Sequence, residues 1–598
     1  MQLANLDWII LAIFFLIVIS IGWVASRTAR KDTSQFFLGG RGMPWWLLGV
    51  SMVACTFSAD TPNLVTDFVR TSGVAKNWAW WAFLITGMVT VFIYAKLWRR
   101  SDVLTDLEFY ELRYSGKLAS FLRVFRSVYL GLFFNVLIMA SVSLAAIKIG
   151  AVMFGLAPWV TIVIGSISVA IYAGIGGLKG VIWADFFQYS IAMFGAIYAA
   201  VIALQQPEVG GLDGLLSHPD IQDKLSFIPD FSDPGTLLTL LIIPIAVQWW
   251  SVWYPGAEPG GGGYIAQRML SAKNEKNAIG ATLFFNFMHY AIRPWPWIIV
   301  ALASLIVYPD LVSIHNEFPN IDSEYLKHDI AYPAMMSKLG PGWLGLVVAS
   351  LIAAYMSTIG THLNWGSSYI VNDFYKRVIK PDAPEKELVR VGQLSTLLLM
   401  LFSGIIALTI MENAQEAFNI LLLSGAGSGA IYLLRWFWWR INALTEIVAM
   451  VSATLTAIIL IFAIDDQTLT TQYLDAFTVR LLIAVGVTTI VWVSTTLLSK
   501  PEDEETLANF YRKTRPGGPG WKKIARKVFP DETKPHAWAM PIQILNVFIG
   551  SITVYAALFG IGSLIYGEWI QASILLFMTI AGSFTILKLF HKLRADIK

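Results

Sequence analysis

Ala54-Cys55-Thr56-Phe57-Ser58-Ala59-Asp60-Thr61-Pro62-Asn63 interrupts a stretch, residues 44–72, that is otherwise apolar enough to cross a bilayer. Hydroxyls and a carboxylate sit mid-stretch, and Pro62 has no N–H to give to a helical ladder. In hydrocarbon every backbone polar group needs a partner, so such an interruption is tolerated only where it is buried in protein or lines a cavity. A second interruption is read in the stretch 236–256, at Pro244 to Gln248 followed by Trp253-Tyr254-Pro255-Gly256. About five spans separate the two breaks. That is the spacing of an inverted pair of five-helix repeats holding a solute and an ion between broken helices near the midplane.

The rest of the chain agrees with a bilayer setting. Its 598 residues are 56% hydrophobic and only 14% charged, which excludes water as the main solvent. Apolar runs long enough to span recur from end to end, about fifteen of them, from 7–26 through 158–176, 181–205 and 416–437 to 568–590. A net charge of +3 is too small for a nucleic-acid partner. The single cysteine, Cys55, excludes an intrachain disulfide and is read as a packing residue. The seven histidines lack metal-ligand spacing, and no Ser-His-Asp or paired-carboxylate pattern is present, so no enzyme is expected.

Orientation follows from Lys and Arg in the short loops. One set of loops carries Arg27, Arg30, Lys31 and Arg41, then Arg99, Arg100, Arg113, Lys117 and Arg123, then Arg268, Lys273 and Lys276, then Lys376, Arg377, Lys380 and Lys386. The opposite set, at 206–235, 309–332 and 465–475, is acidic. The basic set is expected to be cytoplasmic in a multi-pass protein of the cell (plasma or inner) membrane. The N-terminus is then outside, Trp8 to Ala25 is a retained helix, and the basic tail from His591 to Lys598 is inside. The polar stretch 500–538 reads as a solvated cytoplasmic linker with one short helix.

Ionisable residues within spans are candidates for function by default. Asp60 lies at the first break, Asp185 in the sixth span and Arg293 in the eighth. Arg293 is expected to face the cavity, where it either binds a solute carboxylate or neutralises one of the aspartates. The ninth span sets Ser357, Thr358 and Thr361 on one face with Ala354 a turn earlier. These hydroxyls could ligate a hard monovalent cation or simply bond back to their own helix. Glu258 reads as a solvated loop glutamate at the cytoplasmic mouth, with a gate residue as the alternative. The glycines Gly260 to Gly263 fit a tight turn, and they lack the Lys-Ser/Thr ending of a nucleotide loop.

Four ordered motifs carry a resemblance. Gly345 to Arg377, with Ala353-Ala354-Tyr355-Met356-Ser357-Thr358, Leu363-Asn364 and Asn372-Asp373-Phe374-Tyr375, resembles the eighth core helix of the sodium:solute symporter family. Thr105-Asp106-Leu107-Glu108-Phe109 with Arg113-Tyr114 is similar to that family too. So are Gly176-Gly177-Leu178-Lys179-Gly180-Val181 with Asp185 and Gln188, and Tyr264-Ile265-Ala266-Gln267-Arg268-Met269-Leu270. The match covers roughly residues 7 to 440. It implies an all-α membrane protein with a five-plus-five inverted-repeat (LeuT-like) core and about fifteen transmembrane helices. The implied divisions are an extra helix and loop at 1–43, repeats at 44–205 and 236–437, accessory helices at 438–499, the linker at 500–538 and two last helices at 539–598.

The resemblance also implies a sodium site at Ala54, Phe57, Ala354, Ser357 and Thr358, with Asp185 at the family's acidic position nearby. Ala354 offers no hydroxyl where members with a second sodium have one. The implied solute pocket is Asp60, Thr61, Asn135, Trp253, Tyr254 and the segment near Phe418, to which the residues themselves add Arg293. The glycine-rich segment departs from the family's usual helix-six sequence, and Phe418 stands where sugar carriers have a polar side chain. The expectation is a sodium-coupled symporter importing a small polar solute (a sugar or polyol, an amino acid or a carboxylate) by alternating access. The expected partners are that solute, the coupling Na⁺ and membrane lipid, with a homo-oligomer left open. Other readings are a proton-coupled carrier using Asp60 or Asp185, a channel, or a sensor, for which no signalling domain follows the last span.

Overall fold

A computed structural model describes residues 3–29, 33–252, 258–409, 414–530 and 540–593. Twelve of the helices among them are long and apolar enough to cross a membrane. In chain order the helices used below are α1 (Asn5–Ala29), α2 (Trp45–Thr56), α3 (Asp60–Ser72), α4 (Val74–Ser101), α5 (Gly116–Phe154), α6 (Pro158–Leu204), α7 (Pro234–Ser251) and α8 (Gly263–Ser271). They continue as α9 (Glu275–Val307), α10 (Trp343–Ile379), α11 (Glu385–Thr409), α12 (Ala414–Gly425), α13 (Ala443–Phe462), α14 (Ala476–Leu498), α15 (Met540–Ile565) and α16 (Trp569–Leu593). α6 is two helices joined at a sharp kink, in keeping with the separate expected spans 158–176 and 181–205: Gly177, at φ 56° and ψ −168°, leaves helical geometry there, a conformation open to glycine at little cost.

The first break is where the sequence places it. α2 ends at Thr56, Phe57 leaves helical geometry at φ −95° and ψ 78°, and α3 begins at Asp60. Pro62 falls in the first turn of α3, where a missing N–H costs nothing because those donors have no intrahelical partner.

The second break adjoins the later half of its expected signal, not the Pro244–Gln248 half. Pro244 does not end the helix: the turn from Pro244 to Gln248 widens to i→i+5 bonding, which accommodates the proline. Val252 is out of helical geometry, and among the described residues beyond it the helix resumes at Gly263. Gly260 and Gly261 take φ of 85° and 80° to make the return. The second half of this broken helix is therefore α8, every residue of which is buried, and Arg268 is a residue of the protein interior instead of a cytoplasmic loop. Glu258, read as solvated, is only 4% exposed.

The most extensive helix pair is α6 with α10, and α1 also packs along α6. α9 braces both halves of the first broken helix: its start packs on α2 and its end on α3. α16 buries little of itself and turns Phe577 and Ile580 outward, as a lipid-facing helix does. α15 instead covers the core, where Tyr555 donates to the Trp81 carbonyl at 2.9 Å and Trp295 to the Leu558 carbonyl at 3.1 Å.

The polar linker is docked, which corrects its reading as a merely solvated run. It holds two helices, Glu504–Thr514 and Lys522–Val528. Their charged faces are exposed, but Phe510 and Trp521 are fully buried and Trp521 donates to the Trp436 carbonyl at 2.8 Å. Glu502 accepts from the backbone of Ser115 at 2.7 Å and of Ala443 at 3.0 Å, tying the linker to the ends of two spans.

Candidate functional site

The two broken helices and α10 meet around the first break. Thr358 donates to the Cys55 carbonyl at 3.2 Å. Ser357 donates to one oxygen of Asp185 at 2.6 Å, and Ser51, a turn and a half before the break, donates to the other at 2.5 Å. Arg268 of α8 stands 3.6 Å from that carboxylate, and donates to Ser51 at 3.2 Å and Thr361 at 2.7 Å. Asp185 and Arg268 are both wholly buried. Ala54 and Ala354 are buried beside these groups on α2 and α10. Each hydroxyl that gives its proton to a protein acceptor keeps lone pairs for a cation.

A cavity of about 110 Å³ opens at the break, several times what one water needs. Thr56, Ser58, Asp60, Thr61 and Ser141 give it a polar wall, and Trp80, Tyr264, Tyr290 and Phe418 an aromatic one. Asp60 accepts from Ser58 and, at 3.3 Å, from Ser141. Arg293 lines the cavity but its guanidinium is engaged: it donates to the Thr56 carbonyl at 2.5 Å and to His289 Nε2 at 3.1 Å, between the rings of Trp80 and Trp297. Because Nε2 accepts from Arg293, the His289 proton belongs on Nδ1, which lies 2.9 Å from Thr56 Oγ1. Arg293 thus closes the exposed carbonyl at the end of α2.

One expected pocket position differs. Asn135 is fully buried and does not reach the cavity wall. It donates to the His362 carbonyl at 2.9 Å and meets His362 Nδ1 at 2.6 Å, so it orients a residue that does line the cavity. Trp253 and Tyr254 lie outside the described residues. Sequence reasoning also passed over Ser51, His289 and His362. The last two carried a signal, since His289 is one turn from Arg293 and His362 one turn from Thr358. Lys148 was missed as well, a wholly buried cation within α5 that holds Asp329 at 2.7 Å.

Two interrupted helices, a cavity at the interruption and charges buried at mid-span define a membrane carrier. The family model described as "Sodium:solute symporter family" matches residues 36–455. The chain belongs to the sodium:solute symporter family, and is a transporter and not an enzyme. It is 25% identical over 512 residues to the sodium/glucose cotransporter of Vibrio parahaemolyticus, covering 83% of this chain and 91% of the relative. It is 26% identical to the Homo sapiens sodium/myo-inositol cotransporter 2, covering 76% and 69%. A substrate-bound, outward-open Na⁺-coupled sialic acid symporter superposes with a TM-score of 0.65 at 21% identity, covering 84% of this chain and 99% of that one. At that identity the likeness speaks to the fold, which is the five-plus-five LeuT-like arrangement.

Proposed function

We propose that this chain is a sodium-coupled symporter in the cell membrane that carries a neutral, hydroxyl-rich solute of the sugar or polyol class. The observation that carries the sodium assignment is the pair of successive buried hydroxyls on α10: Thr358 bonds the Cys55 carbonyl beside the α2/α3 break, and Ser357 bonds Asp185 on α6. With the carbonyls of Ala54, Phe57 and Ala354 they form an oxygen set suited to a hard monovalent cation. Asp185 already has Arg268 as its counter-charge, which favours one coupled sodium over two. The repeats are assigned to 44–205 and 236–437, with the N-terminus outside and the basic loops cytoplasmic.

The solute class follows from what the cavity offers. Asp60 is an acceptor with a share of its surface open to the cavity, whereas Arg293 is 2% exposed and bonded to Thr56 and His289. A solute rich in donors matches the first, and a solute carboxylate would have to compete for the second. The aromatic wall suits the apolar faces of a sugar ring. The names of the relatives, glucose and myo-inositol cotransporters, point the same way. Proteoliposome uptake of a panel of sugars, polyols, amino acids and carboxylates, with external sodium or choline, tests both halves. Uptake that ignores the cation, or that selects carboxylates, would refute the reading.

A further inference from the structure

The second break carries a charge that the solute and sodium sites do not use. Glu258 leads the glycine turn into α8, and its carboxylate is wrapped so closely that a Cβ on Gly262 would collide with it. Arg435 lies 3.5 Å from Glu258 and 3.5 Å from Glu446, and donates to Tyr110 at 3.0 Å. Arg126 stands 3.8 Å from Glu446 and donates to Tyr432 at 2.6 Å, while Tyr114 donates to Glu446 at 2.5 Å. None of these four charged residues lines the cavity, yet Tyr264, just beyond the glycine turn, does. The docked linker braces the same cluster: Arg113 donates to the Arg435 carbonyl at 2.8 Å and its guanidinium lies 5.1 Å from the Trp521 ring.

A buried ion network is poor evidence for stability, since apolar residues of similar volume serve at least as well. It suits a contact that must form and part, because its strength depends on both partners being present in one geometry. Here the partners come from separate elements: Glu258 from the interruption between α7 and α8, Arg435 from the end of the short helix Gly429–Leu434, Glu446 from the start of α13 and Arg126 from the first half of α5. We propose that Glu258 and Arg435 are a positioning pair of the transport cycle. Their ion pair latches the interrupted helix closed on the linker side of the cavity and parts when the cavity opens to that side. This rests on the carrier reading of the preceding subsection.

Cys55, the single cysteine, lines the cavity and serves as the reporter. The full chain is labelled in inside-out and right-side-out vesicles with a charged, membrane-impermeant methanethiosulfonate, with and without sodium. In the wild type, labelling from the linker side is expected to be slow and to slow further in sodium. Glu258→Gln and Arg435→Gln are each expected to speed it about tenfold, within the usual range of coupling between sites. The double variant should exceed the faster single by little, as expected for two halves of one contact, and Glu258→Asp should restore slow labelling. Wild-type rates in both singles, with sodium still slowing the wild type, would overturn the latch alone. Equal acceleration from both faces would mean general loosening and overturns it too. If sodium has no effect on wild-type labelling, the carrier reading falls and the latch falls with it.

Discussion

Thr358 Oγ1 lies 3.2 Å from the carbonyl oxygen of Cys55, while its neighbour Ser357 donates to Asp185 at 2.6 Å. Successive hydroxyls of one helical turn therefore point at two different bodies, the end of α2 and the inner face of α6. Both spend their protons on protein acceptors, which leaves their lone pairs unspent. A cation entering the space at the break would draw α2, α6 and α10 together. Such a cation would bind the assembled state more tightly than a splayed one, the kind of difference that shifts a conformational equilibrium.

Removing both hydroxyls, Ser357→Ala with Thr358→Ala, is expected to lower apparent sodium affinity by tenfold or more, about 1.4 kcal/mol. Thr358→Ser keeps the oxygen and should stay within about threefold of the wild type, about 0.65 kcal/mol. Binding of radiolabelled sodium to purified protein reads this without knowledge of the solute. Equal sodium binding in the double variant and the wild type would place the site elsewhere.

Asp60→Asn keeps the shape of the side chain and removes its charge. A hydrogen bond to a charged group contributes about 1.5–3 kcal/mol, so solute affinity should fall by between tenfold and a hundredfold with sodium binding unchanged. An uptake series with the best sugar or polyol of the panel measures it, read alongside sodium binding to the same preparation. Arg293→Gln is expected to act differently, lowering thermal stability by freeing the Thr56 carbonyl and His289.

Arg268→Gln leaves the Asp185 carboxylate buried without its counter-charge. Breaking a buried pair in this way costs about 3–5 kcal/mol. The midpoint of thermal unfolding in detergent should drop clearly, and Asp185→Asn added to Arg268→Gln should recover part of the loss. Additive losses in the double variant would show that the two residues are not coupled.

The sequence made the first break legible because a proline, a carboxylate and hydroxyls crowd into one short stretch of an apolar run, and only a cavity or a protein interior tolerates that. The second break was read as starting too early for a physical reason. Pro244 is a strong breaker by composition, yet a widened turn absorbs it, and helical geometry ends only at Val252, beside the Trp253-Tyr254-Pro255-Gly256 half of the expected signal. That shift took Arg268 with it. A cation a few residues from Lys273 and Lys276 reads as part of a basic loop until the packing of α8 places it against Asp185. Asp60 and Phe418 line the cavity. Asn135 did not, because its amide is consumed by His362, a contact between α5 and α10 that no spacing within either helix encodes.

The linker supplies the last test. Its charge density, with Lys523 and Glu504 exposed, hides an anchor: Trp521 is fully buried, stacks 5.5 Å from Phe510 and hydrogen-bonds the Trp436 carbonyl. Truncating a buried aromatic of that size costs about 3–5 kcal/mol when the surroundings cannot collapse. Trp521→Ala should therefore lower the thermal midpoint and make the linker susceptible to limited proteolysis in intact vesicles, while Lys523→Ala should change neither. If the linker were only a solvated tether, both variants would unfold and cleave like the wild type. The cluster it covers contains Arg113 and, through that residue's bond to the Arg435 carbonyl, the segment that meets Glu258. Loss of Trp521 should thus also speed labelling of Cys55 from the linker side, by less than Glu258→Gln does, since the ion pair itself is left in place.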